Sequence, residues 1–184
     1  MATLGILADT HIPDRARLLP PRLLEIFRSA EVEAILHAGD ICAPSVLQEL
    51  EAIAPVHAVR GNRDIYTLRH LPVQVTLTFA GLKVGMVHGH GRLHNYLADK
   101  AHFLVFGLQE DRYTKRVIQA LPGVDGMVFG HLHRRIYEWV EGVLLLNPGS
   151  ACCPDGHSGN PPSVAVLRLI PGSRPEAEFF DLRD

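Results

Sequence analysis

Short apolar blocks, some continuous and some alternating by two, divide this chain. TLGILAD (3–9) is a continuous apolar run of strand length closing on a carboxylate. PPRLLEIFRSA (20–30) then starts with Pro and sets Leu23, Leu24, Ile26 and Phe27 on one helical stripe. AILHAGD (34–40) is a second buried-looking strand. PSVLQELEAI (44–53) is another Pro-led helix, with Val46, Leu47, Leu50 and Ile53 in register. VHAVRGN (56–62) is a third strand. This β-α-β-α-β alternation predicts a parallel sheet covered by helices.

The texture then changes. VQVTLTFAGLKVGMVHG (73–89) alternates about Ala80-Gly81, the pattern of an antiparallel hairpin. Residues 92–121 read as mostly helical, most clearly in QEDRYTKRVIQAL (109–121). VDGMVFG (124–130) is a further buried strand, and RIYEWVEGVLLLN (135–147) a hairpin turning at Glu141-Gly142. SVAVLRLI (163–170) and AEFFDLR (177–183) supply two last strands. The expected architecture is α/β, two packed mixed β-sheets flanked by helices, in a single domain spanning 1–184.

Composition narrows the function classes. With 47% hydrophobic and 21% charged residues and a formal net charge of −2, nothing favours nucleic acid or an anionic membrane as main partner. No apolar run is long enough for a bilayer, and no basic region precedes the first apolar stretch, so neither membrane insertion nor export is expected. The cysteines number three and lack a CxxC pair; Cys152 and Cys153 are adjacent, where disulfide geometry is poor. The expectation is a protein of the reducing cytoplasm, with its oligomeric state left open.

Ligands of open α/β sheets collect beyond the carboxyl ends of the strands. Here those ends carry Asp9-Thr10-His11, Gly39-Asp40, Gly61-Asn62, His88-Gly89-His90 and His131-Leu132-His133. One such pair means little. Five strand ends in succession, each offering oxygen or nitrogen and none offering sulfur, point to divalent metal of the Mn, Fe, Zn or Co type. Asp9, His11, Asp40, Asn62, His88, His131 and His133 are too many ligands for one ion but suit two that share a carboxylate. Two ions roughly 3.5–4 Å apart can clamp the attacking and leaving oxygens of a phosphoryl displacement. Asp40, with two oxygens and a preceding Gly39, is the expected bridge, and His131 and His133 are placed to serve one ion each.

DTH, GD, GN, VHGH and GHLH in this order resemble the calcineurin-like metallophosphoesterases, and the resemblance runs over nearly the whole chain. The chain's small size, HAGD, and NPGS (147–150) followed by PPSVAVLRL (161–169) resemble the compact phosphodiesterase subfamily that includes the small subunit of the retromer coat. The resemblance implies a four-layer α/β/β/α sandwich. It implies Asp9, His11 and His133 with bridging Asp40 on one ion, and Asn62, His88 and His131 with Asp40 on the other. It further implies a phosphodiesterase that uses a metal-bound hydroxide on a small phosphate-ester substrate. Mn is the first choice of metal, with Fe, Zn, Co and Ni also suited. The alternatives are a protein-binding scaffold of the same fold with little catalysis, and a phosphomonoesterase acting on nucleotides or phosphoproteins.

Many larger relatives carry His after the Asn, where GNRD (61–64) carries Arg63. Arg stays charged and cannot protonate a leaving oxygen, although it can grip a phosphate oxygen through a charge-assisted fork. Diesters with good leaving groups are therefore the expected substrates. His90 is placed by alternation beside His88 and is expected to contact substrate or supply a proton. Asp40, Asn62, Arg63 and His90 form the expected catalytic set. His37 reads as supporting rather than ligating, Cys42 as a small buried hydrophobe, Asn147 as fixing a turn near the site, and His57 and His70 as structural or exposed. His94, His102 and His157 fall in stretches with little readable pattern.

Overall fold

The computed structural model describes residues 1–91, 110–154, 156 and 159–183. His94, His102, His157 and residues 92–109 of the expected helical stretch lie outside the described residues. Within them the chain runs β1 (Ala2–Leu7), α1 (Pro21–Ser29), β2 (Ala34–His37), α2 (Pro44–Glu51), β3 (Val56–Ala58), β4 (Gln74–Phe79) and β5 (Leu82–Val87). It continues as α3 (Glu110–Ala120), β6 (Gly126–Val128), β7 (Arg135–Val140), β8 (Val143–Pro148), β9 (Ser163–Leu169) and β10 (Glu176–Asp181). No helix among the described residues is long and apolar enough to cross a membrane.

The strands form two five-stranded sheets, ordered β10-β9-β1-β2-β3 and β4-β5-β6-β8-β7. In the first, β1, β2 and β3 are parallel and β9 and β10 antiparallel; in the second, β5, β6 and β8 are parallel and the edges β4 and β7 antiparallel. Both sheets are thus mixed, as the sequence leads one to expect. Both hairpins turn where the pattern placed them. Ala80 and Gly81 have φ of 49° and 84°, Glu141 and Gly142 of 52° and 83°, the left-handed pair that matches strand twist in a two-residue turn.

Three apolar clusters define four layers. Leu4, Ile6 and Leu36 of the first sheet meet Met86, Val128 and Leu146 of the second. Leu23 and Phe27 of α1 and Val46 and Leu50 of α2 cover the outer face of the first sheet, against Leu7, Ile35, Val164 and Val166. Val117 of α3 packs with Val87, Phe129 and Leu145 on the outer face of the second. Each fully buried Leu or Phe here contributes about 1.5–3 kcal/mol over its exposed state. Each of the two Pro-led helices has Pro in its first turn and no side-chain cap; the fixed φ of Pro starts the helix and no N–H is lost that the helix would use.

The strands are shorter than the apolar runs predict. β1 stops at Leu7 rather than Asp9, β2 at His37 rather than Asp40, and β3 at Ala58 rather than Asn62. The cause is conformational: Asp9 and Asp40 both have φ of 54°, outside the β region. The parallel strands therefore deliver their terminal polar residues from short, tightly bent loops rather than from the pleat.

Candidate metal centre

The loops after β1 and β2 run side by side beyond the sheet. The Ala38 amide donates to Leu7 O (2.9 Å), Asp9 to Gly39 O (2.9 Å) and His11 to Asp40 O (3.0 Å), which sets Asp9 and Asp40 next to each other. The loop after β3 presses on Asp40 from the other side. A Cβ on Gly61 would lie 2.1 Å from Asp40 Oδ1, so only glycine fits before Asn62. Of the nine non-glycine residues with positive φ among the described residues, Asp9, His11, Asp40, His131 and His133 are five. Backbone strain of this kind costs of order 1–3 kcal/mol per residue and collects where a geometry is over-determined.

Asp9 Oδ1 sits at the centre of the arrangement. It is fully buried and has no hydrogen-bond partner. Around it stand His133 Nε2 at 3.4 Å, His11 Nε2 at 3.8 Å and His88 Nε2 at 3.9 Å. Asp40 reaches both sides, Oδ2 to His11 Nε2 (3.9 Å) and Oδ1 to His88 Nε2 (3.5 Å). Two groups of donor atoms lie within 4.8 Å of one another: Asp9, His11 and His133, and Asp9, Asp40 and His88.

His88 makes the chemical requirement explicit. Its Nδ1 lies 2.7 Å from Ala38 O, an acceptor only, so Nδ1 carries a proton and donates. Its Nε2 then faces Asn62 Oδ1 (3.2 Å), Asp40 Oδ1 and Asp9 Oδ1. The two carboxylates offer only acceptors, so with an accepting amide oxygen a lone pair on Nε2 would confront oxygen on every side. A positive charge must stand there, as a second proton on the ring or as a cation. Imidazole whose far N–H donates to a backbone carbonyl is the usual form of a metal-ligating histidine. The donor set, carboxylate and amide oxygen with imidazole nitrogen and no sulfur, fits a hard-to-borderline divalent ion.

Two placements bear on how the expected ligands would divide between ions. Asp9, expected on one ion, belongs to both donor groups. The ring nitrogens of His131 belong to neither of those groups; its backbone N–H donates to Asp9 Oδ2 (2.9 Å) and its ring stands edge-on to His88, centroids 5.1 Å apart. His133, by contrast, meets His11 with Nε2 atoms 3.0 Å apart. The ring of His90 lies 5.3 Å from that of His88 and 6.2 Å from that of His131, and its Nδ1 is buried without a hydrogen-bond partner. Arg63 donates its backbone N–H to Asp40 Oδ1 (2.8 Å), while its half-exposed guanidinium holds Asp14 Oδ2 at 3.1 Å.

The supporting shell was only partly legible. His37 is buried, accepting the Gly39 N–H at Nδ1 (3.3 Å) and meeting Thr10 Oγ1 at Nε2 (3.2 Å); the Thr10 hydroxyl donates on to Ile41 O. Asn147 ties Gly130 O to the Gly149 N–H, fixing the turn as expected. Ser150 bonds the carbonyl of Asp9. Cys42 is buried and its thiol is pushed up to about 12, first by burial and then by Asp64. Asp64, the fourth residue of GNRD, could be read from the sequence only as a possible partner of Arg63, which pairs with Asp14 instead. The buried carboxylate of Asp64 collects the amides of Ile41, Cys42 and Gly61 at 2.7–2.9 Å and binds the β2 and β3 loops together. An acidic residue closely following Gly-Asn was the available signal.

The charges follow from this packing. Burial lowers His88, but Asp40 and Asp9 outweigh it and raise the imidazole to about 9. Burial raises Asp40, and the charge and hydrogen bond of His88 bring it well below the usual carboxylate range. Burial alone dominates elsewhere, lowering His11 and His90 to about 4 and His37 and His131 to about 3.

Residues 2–170 match the calcineurin-like phosphoesterase superfamily domain. The chain is 36% identical over 177 residues to a probable metallophosphoesterase of Methanothermobacter thermautotrophicus, covering 96% of this chain and 91% of that protein. It is 26% identical over 179 residues to a phosphodiesterase of Methanocaldococcus jannaschii, covering 89% and 91%. Among solved structures, Entamoeba histolytica Vps29 complexed with zinc superposes with a TM-score of 0.70 at 23% identity, over 98% of this chain and 99% of that one.

Proposed function

The chain belongs to the calcineurin-like phosphoesterase superfamily, and we propose that it works as a metal-dependent phosphodiesterase. Its likeness in fold to Vps29 structures and to an archaeal phosphodiesterase supports the compact branch related to retromer Vps29. The proposed ligands of two divalent ions, manganese foremost, are Asp9, His11, Asp40, Asn62, His88, His131 and His133. Asp9, a member of both donor groups, and Asp40, near both His11 and His88, would serve both ions. When bound, such ions neutralise phosphoryl charge and lower the pKa of water toward neutrality.

The observation that carries this reading is the convergence of oxygen acceptors on His88 Nε2, beside a buried Asp9 Oδ1 that no donor satisfies. The chain's own residues supply the rest. Asn62 contributes a neutral oxygen and so limits the negative charge of the site. Arg63, anchored at its backbone on Asp40, swings its guanidinium from Asp14 to a non-bridging phosphate oxygen. Because Arg63 cannot surrender a proton at neutral pH, leaving groups that depart as stable anions are favoured, hence diesters over monoesters. His90, its ring beside those of His88 and His131 and its Nδ1 without a hydrogen-bond partner, is the proposed holder of a second phosphate oxygen.

Purified protein stripped with chelator and reloaded with manganese tests the proposal on a chromogenic phosphodiester and its monoester. Faster turnover of the diester is expected, with Arg63→His shifting the ratio toward the monoester. Protein that takes up no ion and stays inert with every divalent metal tried would instead favour a scaffold role.

A further inference from the structure

We infer that α3 sets the affinity of one ion of the pair, acting through Arg116 and Tyr113 as positioning residues. The inference rests on the two-ion reading above. His88 and His131 stand on separate loops of the second sheet, after β5 and after β6, joined by a backbone bond from Gly130 N–H to His88 O at 3.2 Å. A helix braces both. Arg116 Nη1 donates to Gly89 O (3.3 Å) and His90 O (3.5 Å), the two carbonyls immediately after His88. The Arg116 guanidinium carbon lies 5.4 Å from the centre of the Tyr113 ring, and that ring lies 5.8 Å from the ring of His131.

Helical spacing explains why one element reaches both loops. Positions 113, 116 and 117 are i, i+3 and i+4 and so share a face. Val117 anchors that face in the core against Val87 and Phe129, the residues that lead into the two loops. Tyr113 and Arg116 extend the same face past the core to the histidines. A guanidinium bonded to two carbonyls fixes the path of the His88–His90 segment, and the tyrosine ring fixes the rotation of His131. Among the described residues, the His11 ring bonds or stacks with loop residues only, His133, Asp9 and Asp40. The ion held by His88 and His131 therefore leans on α3 directly, whereas the other reaches α3 only through His133, two residues beyond His131 on the same loop.

Manganese titration of the metal-free full-length protein tests this, followed calorimetrically and by the loss of free-ion paramagnetic signal. The wild type is expected to take two ions. Arg116→Ala is expected to bind the first as the wild type does and the second roughly 10–100-fold more weakly, the usual effect of removing a support behind a ligand. Arg116→Lys, which keeps one donor, is expected to recover part of that loss. Tyr113→Leu, which fills the space without the ring, is expected to weaken the same ion. Metal-free melting temperatures, measured alongside, separate positioning from general damage. Equal weakening of both ions in step with melting temperature overturns the inference, as does an Arg116→Ala variant that binds two ions unchanged. Wild-type protein that takes up no ion overturns the two-ion reading itself, and this inference with it.

Discussion

His88 carries the clearest consequence of single-residue chemistry. In the metal-free protein its pKa is raised to about 9, against 6.5 for an ordinary histidine. The folded state then keeps a proton that the unfolded chain has lost, so the stabilisation is complete below pH 6.5 and disappears as pH climbs through 9. It amounts to about 3 kcal/mol. His37 works in the opposite direction. Lowered to about 3 by burial, it costs stability as pH falls below 6.5, because there the unfolded chain binds the proton first. His11, His90 and His131 add to that acid limb. Metal-free protein should therefore be most stable near pH 6.5, and denaturant melts across pH 5–9 will show it. Asp40→Asn should flatten the alkaline limb, and saturating manganese should do the same by replacing the proton. A stability that rises steadily from pH 6.5 to 9 in the metal-free wild type would refute this account of His88.

At the scale of elements, most of the fold was legible because apolar period and turn chemistry are local. The Ala80-Gly81 and Glu141-Gly142 hairpins and both Pro-led helices stand where the pattern put them. The strand ends were misjudged by two to four residues for one reason: hydrophobicity continues into Ala8, Ala38 and Val59 while the backbone has already left the pleat. The candidate ligands were picked out by their place after strands, but which of them stand close together was not. Nothing local says that Asp9 reaches both donor groups, that Arg63 meets Asp14 from 49 positions away, or that Tyr113 and Arg116 of α3 face the histidine loops. Those are products of sheet order.

Two glycines show the difference between an element's needs and the site's. Gly81, with φ of 84° and open space around it, serves only its turn; Gly81→Ala should cost about 1 kcal/mol and leave activity alone. Gly61→Ala drives a methyl into Asp40 Oδ1 and should cost about 1–3 kcal/mol by overpacking. It should also lower manganese affinity and diesterase turnover by at least about tenfold, the scale of a disturbed ligand support. Urea melts and metal titration of the two variants check the contrast; equal behaviour would contradict it.

On the scale of the whole molecule, the centre is a seam. Asp9, His11, Asp40 and Asn62 come from loops of the first sheet, and His88, His131 and His133 from loops of the second. The parallel strands of both sheets point to the same end, and the apolar layer between them, from Leu4 and Ile6 to Met86 and Leu146, sets how far apart the two half-sites stand. Neither sheet alone assembles the donors. That division explains why the motif is scattered along the chain, one or two residues at each strand end, and why its parts make sense only together.

Anomalous diffraction from a manganese-soaked crystal tests the pairing of cations most directly. Two peaks are expected, about 3.5–4 Å apart. Asp9 and Asp40 should lie between them, with His11 and His133 on one side and His88 on the other. No peak at this seam, or a single one with Asp9 and Asp40 turned away, would contradict the account.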